Sequence, residues 1–192
     1  MLNEMVQKNR SYRRFDESSA VVRSTLEGFV ENARHSASTA NLQPLKYFPV
    51  DSAGPRAAVF ECLKWAGYLT EWVGPESGER PAAYLVMVHD TEIKIKAEYL
   101  WFDAGLASQT ILLSATEAGL GGCILASIDR DRLRSALSIP SRYEILVVLA
   151  LGKPVEKVVL TEVTESGSIK YFRDTDGVHY VPKRSIAEIL IG

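Results

Sequence analysis

The sequence predicts an α+β fold rather than a doubly wound parallel sheet. Three observations carry this. A long apolar helix occupies the middle of the chain, three apolar runs read as buried strands, and helices and strands do not alternate regularly. A chain of 192 residues that is 46% hydrophobic and 24% charged suits one domain spanning 1–192, able to bury roughly 70% of its unfolded surface. A net charge of −2 gives no overall pull toward nucleic acid or an anionic membrane.

The central helix runs from about Lys94 to Gly119. Ala97, Leu100, Trp101, Ala104, Ala107, Ser108, Ile111, Leu112 and Ala115 recur at steps of three and four. Glu98, Asp103 and Glu117 are the only formal charges between Ala97 and Ala118, so most of its faces are expected to be buried. Ala104, Gly105, Ala107 and Ser108 form a small-residue stripe against which another helix can pack closely.

Ahead of it, Leu2 to Lys8 reads as a short helix. Asn9 to Asp16 then places three arginines, Arg10, Arg13 and Arg14, in five positions. Two readings fit this loop. One is a solvated basic turn anchored by Tyr12 and Phe15. The other is an anion clamp, since guanidinium forks match phosphate oxygens two at a time. Nucleic acid is the weaker partner, because no basic stripe extends the patch. Ser18 or Ser19 is the expected cap of a helix reaching about Ala37, with Val22, Leu26, Phe29, Val30 and Ala33 inward. Ser36 to Pro44 is a polar loop of small residues in which Ser38, Asn41 and Gln43 offer donors and acceptors. Lys46 to Asp51 reads as a strand and Pro55 to Lys64 as a helix. Trp65, Tyr68, Leu69 and Trp72, beside a Gly- and Pro-bearing loop, fit either a flap over a pocket or core packing. Ala82 to His89 is a buried strand.

Beyond the central helix, Cys123 to Ala126 is the second buried strand, and Asp129 starts a short helix that Ile139-Pro140 ends. Glu144 to Leu151 is the third buried strand, and Val155 to Val163 an extended arm or edge strand. Thr175-Asp176-Gly177 marks a hairpin between 169–174 and 178–181. Ile186, Ile189 and Leu190 lie on a last amphipathic helix. Cys62 and Cys123 make no disulfide framework, so a reducing cytoplasm is expected. The first fifteen residues hold no apolar signal core, and the apolar runs are interrupted inside the length a membrane span needs. His35, His89 and His179 lack metal-ligand spacing. His179 is left as a proton donor or a packed imidazole.

Four segments come in order: Arg10-Ser11-Tyr12-Arg13-Arg14-Phe15 as R-S-x-R-x-F, Ser38 to Pro44 as S-x-x-N-x-Q-P, Gly119 to Cys123 as G-L-G-x-C, and Val181-Pro182-Lys183-Arg184 as V-P-K-R. Together they resemble the FMN-dependent nitroreductase family, and Ile139-Pro140 and Leu151 to Pro154 also fit family positions between the last two. The resemblance implies a nitroreductase-like sandwich: a central mixed sheet flanked by helices, the long helix at an intertwined homodimer interface, and a C-terminal arm of about 155–192 reaching the partner subunit. It implies bound FMN, with NADH or NADPH as a transient hydride donor and a small-molecule electron acceptor. Arg10, Ser11, Lys183 and Arg184 are then expected at the phosphate, and Arg13 near N1 and O2 of the ring. Ser38, Asn41 and Gln43, from the partner subunit, are expected at the ring edge and ribityl chain. Ile124 and Leu125 are expected against a ring face, with backbone N–H groups of Ala126 and Ser127 near O4 and N5. Some relatives carry an acidic side chain near the position of Ala126, and this chain does not. The implied activity is reduction of nitroaromatics, quinones or similar acceptors. Reductive dehalogenation and a non-catalytic flavin-binding sensor or carrier are the alternatives.

Overall fold

The computed structural model describes residues 1–164 and 167–192. In chain order these form α1 (Leu2–Lys8), β1 (Phe15–Asp16), α2 (Arg23–Ala33), β2 (Leu45–Val50), α3 (Ala53–Phe60), β3 (Ala83–Asp90), α4 (Ala97–Glu117), β4 (Gly121–Leu125), α5 (Arg130–Leu137), β5 (Tyr143–Pro154), β6 (Val158–Glu162), β7 (Phe172–Arg173), β8 (His179–Lys183) and α6 (Ile186–Ile189). The architecture is α+β, as expected. β2, β3, β5 and β4 lie side by side with antiparallel pairing, and β1 continues beyond β4 along the same edge of β5. The parallel component of this sheet is the bridge between Ser11 and Gly122.

All eight residues of β3 are buried, because helices cover both faces of the sheet. Leu85 and Met87 face one layer, with Leu26, Phe29 and Ala33 of α2 and Leu100, Ala104, Ala107 and Ile111 of α4. Tyr84, Val86 and Val88 face the other, with Val59 of α3 and Leu133 of α5. This is the period-two alternation of a strand feeding two cores.

α4 ends where the sequence places a glycine. Gly119 takes φ 72°, and Leu120 N–H donates to Ala115 O at 2.8 Å, closing the helix in a left-handed turn that favours glycine. Gly122 is required for a different reason. A Cβ there would lie 2.6 Å from Ala150 O and 2.7 Å from Leu112 Cδ2, so β4 can approach β5 and α4 only without a side chain.

Several boundaries differ from expectation. α2 starts at Arg23, not after Ser18 or Ser19, because both hydroxyls donate to the Asp16 carboxylate, at 2.5 and 2.7 Å. Those bonds lower the Asp16 pKa to about 2. The partner for the small-residue stripe of α4 is α2 of the same chain at Ala104 and Ala107, while Gly105 faces outward. A second sheet has order β6-β8-β7, with β6 parallel and β7 antiparallel to β8. The expected hairpin is present, and Gly177 takes φ 78° in its turn.

Candidate functional site

The basic loop is strung between two strands. Ser11 bridges Gly122, Tyr12 N–H donates to Gly122 O at 3.0 Å, and fully buried Phe15 pairs with Pro154. Between these points Glu156, whose side chain is fully buried, accepts from the backbone N–H of Arg13 and, at 3.2 Å, from that of Arg14. The same carboxylate pairs with Arg173 Nη2 at 3.1 Å. The loop therefore has a fixed shape, and its side chains are sorted by what they meet.

Arg14 is a structural ion pair. Its Nε and Nη2 donate to Glu79 at 2.6 and 2.5 Å, which raises the Arg14 pKa and lowers that of Glu79. Arg10 and Arg13 pair with no carboxylate among the described residues. Arg10 Nη2 donates to Val6 O at 2.6 Å. Arg13 Nη1 donates to Ser11 O at 3.2 Å and lies 3.4 Å from His179 Nε2, and its guanidinium carbon sits 4.9 Å from the centre of the Tyr171 ring. The Nε atoms of both arginines are buried without a hydrogen-bond partner.

Arg10, Ser11, Arg13, Ile124, His179 and Lys183 line one cavity of about 350 Å³, closed on its α4 side by Gln109 and Leu112. Three cations face this space, and no carboxylate is among its lining residues. Uncompensated guanidinium and ammonium groups around a concave surface offer an anion complementary charge and donor geometry. His179 is 1% exposed. Burial first, then the Arg13 and Arg173 charges, lower its pKa to about 4, so it adds no charge at neutral pH. Burial likewise pushes the nearby Cys123 thiol upward, which keeps it protonated and unreactive.

The other expected residues are distributed as follows. Ile124 is 41% exposed, whereas Leu125 is 5% exposed and turns to the opposite face of β4, into the core. Ala126 and Ser127 lie exposed just past β4. Arg184 is outside the cavity lining, exposed, with Nη1 3.4 Å from Glu188. Ser38 and Gln43 line a second cavity of about 530 Å³ between α2, β2 and α4. Asn41 is exposed beside it and accepts from Gln43 Nε2 at 3.2 Å. This loop is held by Asp103 of α4, which is 2% exposed. Asp103 accepts from Ser38 Oγ at 2.7 Å and from Thr39 N and Oγ1 at 2.9 Å.

α4 separates the two cavities. Asp103 and Ala107 line the larger, Gln109 and Leu112 the smaller. At 100° per residue the midpoints of these faces are roughly 170° apart. One chain thus brings Arg10, Ser11, Arg13, Ile124 and Lys183 together and holds Ser38, Asn41 and Gln43 on the far side of the helix. Asp103 and Glu156 were not among the expected site residues. Asp103 left a signal, as a lone charge inside an otherwise apolar stretch of helix. Glu156 left none, lying between Lys153 and Lys157 in a stretch that reads as solvated.

The model of a family described as the nitroreductase family matches residues 6–153. Solved structures share the fold. A nitroreductase family protein from Streptococcus pneumoniae TIGR4 superposes with a TM-score of 0.72 at 16% identity, covering 86% of this chain and 96% of that one. A nitroreductase from Exiguobacterium sibiricum in complex with FMN gives 0.67 at 19% identity, covering 81% and 89%. The NADPH:FMN oxidoreductase of Vibrio harveyi, complexed with NAD+, gives 0.62 at 20% identity, covering 80% and 68%.

Proposed function

This chain belongs to the nitroreductase family, and on that premise we propose that it is an NAD(P)H-dependent FMN oxidoreductase acting on nitroaromatics, quinones or similar small acceptors. The observation that carries the reading is the set of Arg10, Arg13 and Lys183 around one cavity without counter-ions among the described residues. FMN fits this donor set. Its phosphate carries about −1.5 to −2 charges, which the Arg10 guanidinium, the Lys183 ammonium and the Ser11 hydroxyl match in charge and hydrogen-bond donors, leaving the Arg13 guanidinium for the ring. The buried, unpartnered Nε atoms of Arg10 and Arg13 are donors that the folded chain leaves for a ligand.

Bound FMN would supply a ring that takes a hydride at N5 from NADH or NADPH and passes it to the acceptor. The chain's own residues bind, orient and shield. Arg10, Lys183 and Ser11 hold the phosphate, each charge-assisted bond contributing roughly 1.5–3 kcal/mol. Arg13 would present a fixed positive charge to the N1 and O2 edge of the bound ring and so favour its reduced, anionic form. Ile124 packs an apolar surface on the ring and excludes water, while Leu125 anchors that strand in the core. The backbone N–H groups of Ala126 and Ser127, exposed just past β4, would serve the O4 and N5 edge. Arg184, engaged with Glu188, is left out of the set.

The working unit is a homodimer in which the Ser38–Gln43 loop of one subunit completes the cavity of the other. The opposed faces of α4 favour this, since one chain does not bring both halves together. So do Trp101 and Phe102 on α4, which are 47% and 62% exposed. The test is an anaerobic absorption spectrum of purified protein before and after NADH and NADPH, with its mass in solution. A yellow dimer bleached by one of them is expected. A yellow protein that neither bleaches is a flavin carrier, and a colourless one that takes up no FMN overturns the reading.

A further inference from the structure

We infer that His179 is a positioning residue for Arg13: a buried neutral imidazole holds the guanidinium in place without cancelling its charge, so the full charge is delivered to whatever anion fills the cavity. The flavin part of this inference rests on the function proposed above, while the His–Arg contact stands without it.

Two adjacent arginines in the same loop are held in opposite ways. Arg14 meets the Glu79 carboxylate through two short bonds, and its charge is neutralised by its partner. Arg13 is held by the Ser11 carbonyl oxygen at 3.2 Å, the His179 ring nitrogen at 3.4 Å and the Tyr171 face at 4.9 Å. None of these three carries a charge. The nearest carboxylate, Glu156, takes the Arg13 backbone N–H and is paired with Arg173. The arrangement therefore fixes a guanidinium and leaves it electrostatically free.

The tautomer follows from donor chemistry. A guanidinium has no acceptor, so Nε2 of His179 must accept and the ring proton lies on Nδ1. That Nδ1–H is buried without an acceptor among the described residues, as expected of a side chain that serves a ligand cavity. A protonated ring would place two cations 3.4 Å apart. The groups facing the imidazole are Arg13, Arg173 and the Tyr171 ring, whose centre is 5.2 Å away. Tyr68 packs behind Tyr171 at 4.8 Å. Lys157 O accepts from the His179 backbone at 2.9 Å, fixing where β8 delivers the ring.

Three variants separate charge from packing: H179Q, which keeps a neutral acceptor; H179E, which puts an anion in the same place; and H179F, which keeps bulk and removes the acceptor. The readout is the ratio of affinities for reduced and oxidised FMN, from redox titration of the loaded full-length protein. H179E is expected to lower that ratio at least tenfold, a fall of about 30 mV in a two-electron midpoint potential. H179Q is expected within about threefold of the parent, and H179F between them, which keeps the test decisive should H179E not fold. A role in packing alone would change melting temperature and flavin retention and leave the ratio equal in all three, which overturns the proposal. If the parent protein takes up no FMN, the flavin reading fails separately. Inorganic phosphate is then the probe, and H179E is expected to bind it about tenfold more weakly than H179Q, with equal affinities overturning the proposal. Independently, the ¹⁵N spectrum of flavin-free protein at pH 6 should show a neutral His179 protonated on Nδ1. A doubly protonated ring refutes the contact.

Discussion

Replacing Asp103 with Asn keeps the side chain's shape and removes its charge, and the structure fixes what that costs. The carboxylate is buried and faces donors only: Ser38 Oγ at 2.7 Å, Thr39 N at 2.9 Å and Thr39 Oγ1 at 2.9 Å. An amide offers one acceptor oxygen and turns two hydrogens toward those donors. The hydroxyls can rotate, but the Thr39 backbone N–H cannot. Bonds to a charged acceptor are worth roughly 1.5–3 kcal/mol each, so losing one outright and the charge of the other two costs about 2–4 kcal/mol. Against this stands the loop's own strain. Ala40 and Gln43 take φ 50° and 51°, at roughly 1–2 kcal/mol each for a residue with a Cβ. D103N therefore removes most of what holds the loop in this shape. Urea unfolding should show the loss in free energy, and thermal unfolding a melting temperature lower by roughly 6–12 °C at this chain length. Limited proteolysis should cut near 40–43 first. A shift under 1 °C with no new cleavage site would refute the claim that Asp103 anchors this loop.

Three further outcomes are expected. R10A should purify colourless or weakly coloured and fail to hold FMN through dialysis, and full retention would remove Arg10 from the phosphate site. G122A should destabilise by about 3 kcal/mol or more in denaturant unfolding, because the new Cβ meets backbone at Ala150 O as well as side chains that could shift. For H179Q the pH dependence carries the test. The folded pKa of His179, about 4, lies below its ordinary 6.5, so the unfolded chain binds the proton first. The parent should lose roughly 2–3 kcal/mol of stability from this residue as pH falls from 6.5 to 4, and H179Q should lose that much less over the same window in unfolding titrations.

Much of the scaffold was legible because local chemistry dictates it. The apolar runs at 82–89 and 144–151 fall on β3 and β5, where residues 83–90 and 145–152 are buried, and the Gly119 turn and the Asp-Gly hairpin sit where their backbone freedom is needed. What stayed hidden depends on partners far along the chain. The small-residue stripe of α4 announces close packing without saying which helix arrives, and α2 of the same chain meets it at Ala104 and Ala107. Ser18 and Ser19 look like caps until Asp16 claims both hydroxyls.

The site shows the same division more sharply. Composition marks Arg10 to Arg14 as a basic cluster but cannot say which guanidinium is available, because that is settled by residues 65 and 143 positions away. Glu79 takes Arg14 out of play, and Glu156 shapes the loop through its backbone. The R-S-x-R-x-F motif behind the family resemblance names Arg10 and Arg13 and leaves Arg14 unnamed, and among the described residues Arg14 is the one of the three whose guanidinium a carboxylate engages. Asp103 is the reverse case. Its charge was visible as an oddity in an apolar helix, yet the donors that make a carboxylate tolerable there come from a loop more than sixty positions earlier. A buried charge read from sequence thus states that a partner exists, and only the fold identifies the loop it holds.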